Sequence, residues 1–336
     1  MDTNRAAMLE PTRCSFSGRG PDRRIGDARL AGKKIVVTGA GGFIGSRLVW
    51  TLEARGAIVT ALVGAPGQNM FELPPSVPKL VADIEDRNVL VSLARDADVF
   101  LHLAGPPSVA ASFTSPLEYE RVHVRGTLAA LDACRTAAVP RFVYLSSAEV
   151  YGRPASNPVS EDHALRPRSP YAACKAAAEH FVEAYAHASG TCCLILRPFS
   201  VYGPGSPGRA LVHTVLRQAA SREAIVLGDL APIRDFIFVD DVVDAVMAAA
   251  VVPCRDTTAL NIGSGTGTAV GALAGLALQL AGRSVPIRST LNGERPPNAD
   301  IDHLVANNAR ARETLGWTPR VDLPDGLLRT LEWMGA

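Results

Sequence analysis

Tyr171 and Lys175 stand four residues apart in a run that reads as helix, so both project from one face. A phenol beside an ammonium suggests proton transfer from a secondary alcohol. With a reference pKa of about 10, tyrosine is a poor base at neutral pH until a cation stabilises its phenolate. Lys175, one helical turn away, together with a positively charged hydride acceptor, would supply that field. Removing the proton is half of an alcohol oxidation; the other half is a hydride acceptor over the carbon. On its own, Tyr-x-x-x-Lys is more often a surface pair, so the reading depends on an acceptor site elsewhere in the chain.

That site is offered by Val37-Thr38-Gly39-Ala40-Gly41-Gly42-Phe43-Ile44-Gly45. Gly39 allows the chain to reverse, Gly42 lets backbone N–H groups approach a pyrophosphate, and Gly45 lets the following helix pack closely on the strand. The phosphates would sit at the positive end of that helix. The turn lies inside a βαβ unit, with strand 34–37 before it, helix 46–54 after it and strand 57–63 beyond.

Further strands are expected at 79–84, 98–105, 141–146, 192–196, 233–239 and 259–263, with helices at 87–95, 117–138, 170–188, 211–220, 242–251 and 270–281. Ser169 reads as the N-cap of the Tyr171 helix, with Pro170 at its first position. This alternation predicts an α/β fold: a doubly wound parallel sheet of Rossmann type with a smaller C-terminal substrate-binding lobe. Residues 1–32 read as a flexible leader. The NAD-binding domain is expected over 33–200 with 233–264, and the substrate lobe over 201–232 with 265–331.

A formal net charge of +1 gives no general attraction to nucleic acid or to an anionic membrane, so neither is an expected partner. The most apolar run, 242–252, is too short to span a bilayer. The six cysteines, at 14, 134, 174, 192, 193 and 254, show no C-x-x-C or His/Cys metal spacing. They read as small buried hydrophobes in a reducing cytosol, with no metal site and a cytoplasmic location.

The ordered motifs identify the chain as resembling the extended short-chain dehydrogenase/reductases, in their sugar-nucleotide epimerase/dehydratase branch. They are the glycine turn; Val99 to Ala104; Gly126-Thr127; Ser146 to Gly152; Ser169 to Lys175; Arg197 to Pro204; Arg234-Asp235-Phe236; Asn261-Ile262-Gly263; and Leu315 to Pro319. The resemblance spans roughly 34–319. It implies that Tyr171 is the base, Lys175 lowers its pKa and holds the nicotinamide ribose, and Ser147 hydrogen-bonds the reacting oxygen. Glu149 is an optional acid or base. Cofactor contacts are implied for Gly39, Gly42, Phe43, Ile44, Gly45, Asp83, Ile84, Leu103, Ala104, Tyr171, Lys175 and Pro198. Substrate contacts are implied for Ser147, Ser200, Arg209, Arg234 and Arg295, the last two as clamps on the pyrophosphate. Relatives commonly dimerise through two helices per subunit, here 117–138 and 170–188, so a homodimer is expected.

Departures from the family pattern narrow the reaction. The 4,6-dehydratases carry Asp-Glu where this chain has Ala148-Glu149. Without that acid, departure of a hydroxyl is disfavoured. An NAD-dependent 4-epimerase of a nucleoside-diphosphate sugar, hexose or uronate, is the reading favoured here. A nucleotide-sugar decarboxylase, for which Glu149 argues, and a 4-ketosugar reductase are the alternatives, with a non-catalytic nucleotide-binding module as the alternative of another class. Strand two ends Leu62-Val63-Gly64, without the acid that usually binds the adenosine ribose. NAD is expected, and NADP stays open. His123 stands in the usual place of an Asn that steadies the site, and Ser200 in that of another. Ser200 with Arg209 would suit a sugar carboxylate.

Overall fold

The computed structural model describes residues 27–64, 71–254, 257–290 and 300–335. After a short helix α1 (Asp27–Leu30), six strands alternate with helices: β1 (Lys34–Thr38), β2 (Ile58–Val63), β3 (Lys79–Val81), β4 (Val99–His102), β5 (Arg141–Leu145) and β6 (Cys192–Pro198). The intervening helices are α2 (Phe43–Ala54), α3 (Arg87–Ala94), α4 (Val109–Thr114), α5 (Pro116–Glu120), α6 (Gly126–Thr136) and α7 (Pro170–Ser189). Strands β7 (Ser200–Tyr202), β8 (Ile225–Leu227) and β9 (Ile233–Phe238) leave the sheet, and β10 (Thr258–Ile262) rejoins it. The seven-stranded order is β10-β6-β5-β4-β1-β2-β3, with every pairing parallel. Strand order reverses between β1 and β4, and ligands bind such sheets at the carboxyl ends beside that switch point.

Continuous apolar runs make these strands, because both faces are covered. One face packs on α2 and on α9 (Val239–Val251), through Leu48, Leu52, Val242 and Val246. The other packs on α3, α6 and α7, through Leu90, Ala130, Ala178 and Val182. The lobe has its own core, built from α8 (Leu211–Ser221), α10 (Val270–Leu280) and Tyr202, Phe236 and Phe238.

Four findings differ from the sequence expectations. The end of the expected leader folds: α1 is helical and Leu30 is buried in the main core. The expected helix 117–138 is not uniform, because a π turn at Arg121–Arg125 separates α5 from α6. There the Thr127 hydroxyl donates to the His123 carbonyl at 2.6 Å, and a side chain at Gly126 would meet Ile84. Strand β9, grouped above with the NAD-binding domain, belongs to a small mixed sheet with β7, β11 (Gly267–Ala269) and β13 (His303–Leu304). Finally, the cysteines are not all free. Cys192, at the start of β6, is disulfide-bonded to Cys254, just beyond α9, while Cys134, Cys174 and Cys193 are thiols. Sequence spacing hid the pair: its partners are 62 residues apart and are brought together by the sheet. Among the described residues no helix is long and apolar enough to cross a membrane.

Candidate active site

The glycine turn joins β1 to α2. Gly39 has φ +68°, and a side chain there would stand 2.8 Å from the Ala104 backbone. A side chain at Gly45 would run into the Gly39 carbonyl, so the helix can approach the strand only because that residue is glycine. No side chain caps the N-terminus of α2, which leaves its first N–H groups for an anion. This cradle fits a dinucleotide pyrophosphate. Phe43 and Ile44, in its first turn, reach toward the lobe core. Leu103 and Ala104 donate backbone N–H bonds to the Thr38 carbonyl and hydroxyl, at 3.3 and 3.4 Å, tying the ends of β4 and β1 together. Pro198 closes β6, in register with Ile262.

Just beyond β3, the Asp83 carboxylate accepts from the Glu85 N–H at 2.9 Å and from Arg121 at 2.9 and 3.0 Å. The backbone bond, followed by Arg121, holds its pKa below the usual carboxylate range despite partial desolvation. Ile84 is buried beneath Gly126.

Helix α7 starts as its sequence dictates: the Ser169 hydroxyl accepts from the Ala172 N–H at 3.1 Å, with Pro170 in the first turn. Tyr171 and Lys175 share its buried face. Lys175 Nζ donates to the Leu145 carbonyl, at the end of β5, at 2.7 Å, and stands 4.8 Å from the centre of the Tyr144 ring. Ser147 N-caps a 3-10 turn (Ala148–Tyr151), accepting from the Glu149 N–H at 3.2 Å. The Ser147 side chain lies near the Tyr171 phenol and favours its ionised form. Tyr171, Lys175, Ser147 and Glu149 are thus gathered at the carboxyl end of β5.

Burial pushes Tyr171 up to about 12; the nearby Ser147 hydroxyl pulls the other way, and the charge of Glu149 adds to the rise. Burial also brings Lys175 down to about 7, with the Glu179 carboxylate opposing. Lys175 therefore does not by itself make this phenol acidic, because desolvation of both groups outweighs their proximity. A further cation over the phenol, such as a nicotinamide ring, has to supply the remaining field.

A contiguous path of contacts connects the phenol to the glycine turn. Gly39 abuts Ala104, and a side chain at Gly105 would strike the His123 ring. That ring meets Tyr171 edge-on, with centroids 5.4 Å apart. His123 Nε2 bonds to the Pro106 carbonyl at 3.0 Å, while its buried Nδ1 has no partner. Tyr119 flanks the same phenol at 6.2 Å and donates to the Ser108 carbonyl at 2.6 Å. His102, bonded to Thr38 at 2.8 Å and Thr127 at 3.1 Å, is held neutral by burial, with its pKa down at about 3.

The anchoring residues are more scattered. Arg234, on β9, is half-buried and donates to the Ile233 carbonyl at 3.1 Å. Ser200 is half-buried on β7, and Arg209 is exposed in the loop before α8. Arg295 lies outside the described residues. Sequence reasoning missed Tyr119, His102 and the buried Glu179–Arg197 pair. Glu179 repeats the four-residue step from Tyr171 to Lys175, and that spacing was the signal available for it.

The model of the NAD dependent epimerase/dehydratase family matches residues 35–263. This chain belongs to that family. It is 36% identical over 311 residues to the UDP-glucose 4-epimerase of Mycolicibacterium smegmatis, covering 89% of this chain and 98% of that one. Among solved structures it is similar to MoeE5 in complex with UDP-glucuronic acid and NAD, with TM-score 0.81 and 34% identity over 90% of this chain and 99% of the other. It is also similar to TunA, an NAD-dependent NDP-hexosamine 5,6-dehydratase of tunicamycin biosynthesis, with TM-score 0.79 and 32% identity over 90% and 98%. NAD is the cofactor of the family, and the glycine cradle of this chain is built for it.

Proposed function

We propose that this chain is an NAD-dependent 4-epimerase of a nucleoside-diphosphate sugar, UDP-glucose or a UDP-uronate being the substrates that its relatives' names suggest. The observation that carries the reading is the convergence of Tyr171, Ser147 and Lys175 beside the glycine turn, with no acid at position 148. NAD, held by the glycine cradle, would supply reversible hydride transfer. Tyr171 takes the proton of the C4 hydroxyl and gives it back after the ketone has turned over. Ser147 orients the same oxygen, and Lys175 holds the phenolate and the ribose. Arg234, with Arg295, neutralises the pyrophosphate.

Ala148 favours epimerisation over 4,6-dehydration. It is buried in an apolar cluster with Val150 and Tyr151, so the position offers no proton to a departing hydroxyl. Incubation with UDP-glucose, UDP-galactose and their uronates, read by NMR, tests the reading. Epimer pairs at equilibrium without net cofactor turnover support it. Carbon dioxide release would mark a decarboxylase, and net oxidation of reduced cofactor a ketoreductase.

The proposal includes a homodimer formed through α5, α6 and α7; exposed Leu117 on α5 and Phe181 on α7 support that surface. It also includes a cytoplasmic setting, where the Cys192–Cys254 pair would face reduction.

A further inference from the structure

Tyr171, Lys175 and Glu179 lie four residues apart on α7, and all three are buried. Lys175 and Glu179 are bonded to consecutive residues at the end of β5: Lys175 Nζ donates to the Leu145 carbonyl and the Ser146 hydroxyl donates to Glu179 Oε1, while the next residue, Ser147, lies near the Tyr171 phenol. Glu179 has no surface exposed to bulk solvent. Arg197, on β6, neutralises it, with Nη2 at 2.6 Å and Nε at 3.1 and 3.2 Å from the carboxylate oxygens. Arg197 Nη1 donates to the Tyr151 hydroxyl at 2.8 Å, and that hydroxyl donates to Asn261 Oδ1 on β10 at 2.7 Å. A buried ion pair is a weak source of stability, since desolvation offsets much of its attraction. What this pair does at its location is tie the serine-bearing end of β5 to the helix that carries the phenol.

The groups packed around Lys175 single out Glu179 further. Tyr171, Cys174 and Glu179 are on its own helix, Tyr144 is on β5, His102 on β4 and His123 in the π turn. Burial holds both histidines neutral, and it raises the Tyr144 and Cys174 acids. Glu179 is the carboxylate whose field favours the charged ammonium.

We infer that Glu179 is a positioning residue for the Tyr171 chemistry: through Ser146 it holds Ser147 in place beside the phenol, and its carboxylate faces Lys175 from one turn further along the same buried helix face. This rests on the epimerase reading above. The test measures kcat and KM against pH for the full-length protein with NAD and the sugar nucleotide that the panel identifies. Ser146→Ala removes the tie and leaves the charge. It is expected to lower kcat about tenfold, with KM within about twofold and the alkaline limb of the profile unmoved. Glu179→Gln keeps an acceptor for Ser146 and removes the charge. It is expected to move the alkaline limb down by about one pH unit, the direction that follows from easier loss of the Lys175 proton. A Ser146→Ala variant with the parent's kcat, or a folded Glu179→Gln variant with the parent's pH profile, overturns the inference. Should Glu179→Gln fail to fold, Ser146→Ala decides alone. An active parent with unmoved variants sinks this proposal only, whereas a parent that converts no sugar nucleotide sinks the epimerase reading and this with it.

Discussion

The sheet and the C-terminal lobe are built differently. On the sheet side, Tyr171, Lys175 and Ser147 are buried, Lys175 is bonded to β5, and the buried carboxylate Glu179 is matched by a guanidinium. On the lobe side, Ser200 and Arg234 are half-buried and Arg209 is exposed. The buried carboxylate there, Asp235, is held by hydroxyl and backbone groups: Ser264 N and Oγ at 2.7 and 2.6 Å, Gly265 N at 2.8 Å and Ala306 N at 3.1 Å. Burial raises its pKa, with those bonds opposing, whereas the Glu179 charge is balanced by Arg197. One side is set in advance for chemistry; the other organises loops around whatever it grips. Changes on the sheet side should therefore appear in kcat, and changes on the lobe side in KM.

The largest effect is expected from Tyr171→Phe: kcat lower by roughly a thousandfold with KM nearly unchanged. A comparable rise in KM instead would erase the distinction between the two sides. Next comes Lys175→Met, with kcat lower by about a hundredfold. This variant also tests the electrostatics through stability. The Lys175 pKa is depressed from 10.5 to about 7 in the fold, so the unfolded chain binds the extra proton between those values and stability rises with pH across that window. Lys175→Met should melt several degrees higher than the parent at pH 7 and lose that part of the slope, as thermal denaturation at several pH values would record.

On the lobe side, Arg234→Ala should raise KM for the sugar nucleotide by about tenfold to a hundredfold, with kcat within a few-fold of the parent. Equal loss in both constants would show that Arg234 also shapes the transition state. The smallest effect is expected from Ser200→Ala and Arg209→Ala: a change of a few-fold in the ratio of kcat/KM between UDP-hexose and UDP-uronate. An unchanged ratio ends the carboxylate assignment for these residues.

The same contrast decided what could be read in advance. Strands β1, β4, β5 and β6 are covered on both faces, so each carries an apolar run, and the turn between β1 and α2 announces itself by its glycines. Tyr171 and Lys175 were legible because helical spacing alone places them on one face. Lobe strands of two or three residues, such as β11 and β13, are too short for any period to register. The π turn is invisible in composition, since Arg121 to Arg125 would sit equally well in an α-helix. The pairing of Glu179 with Arg197 could not be read, because nothing local reveals that β6 carries the guanidinium under α7. The phenol's high pKa likewise arises from burial, a tertiary property.

Between Cys192 and Cys254 the chain closes into a covalent ring that encloses Ser200, Arg209 and Arg234 and leaves out Ser147, Tyr171 and Lys175. Opening a ring of this size frees the unfolded ensemble by about 4 kcal/mol. Dithiothreitol in a storage buffer would thus lower the melting temperature of the protein without touching the phenol, the ammonium or the serine.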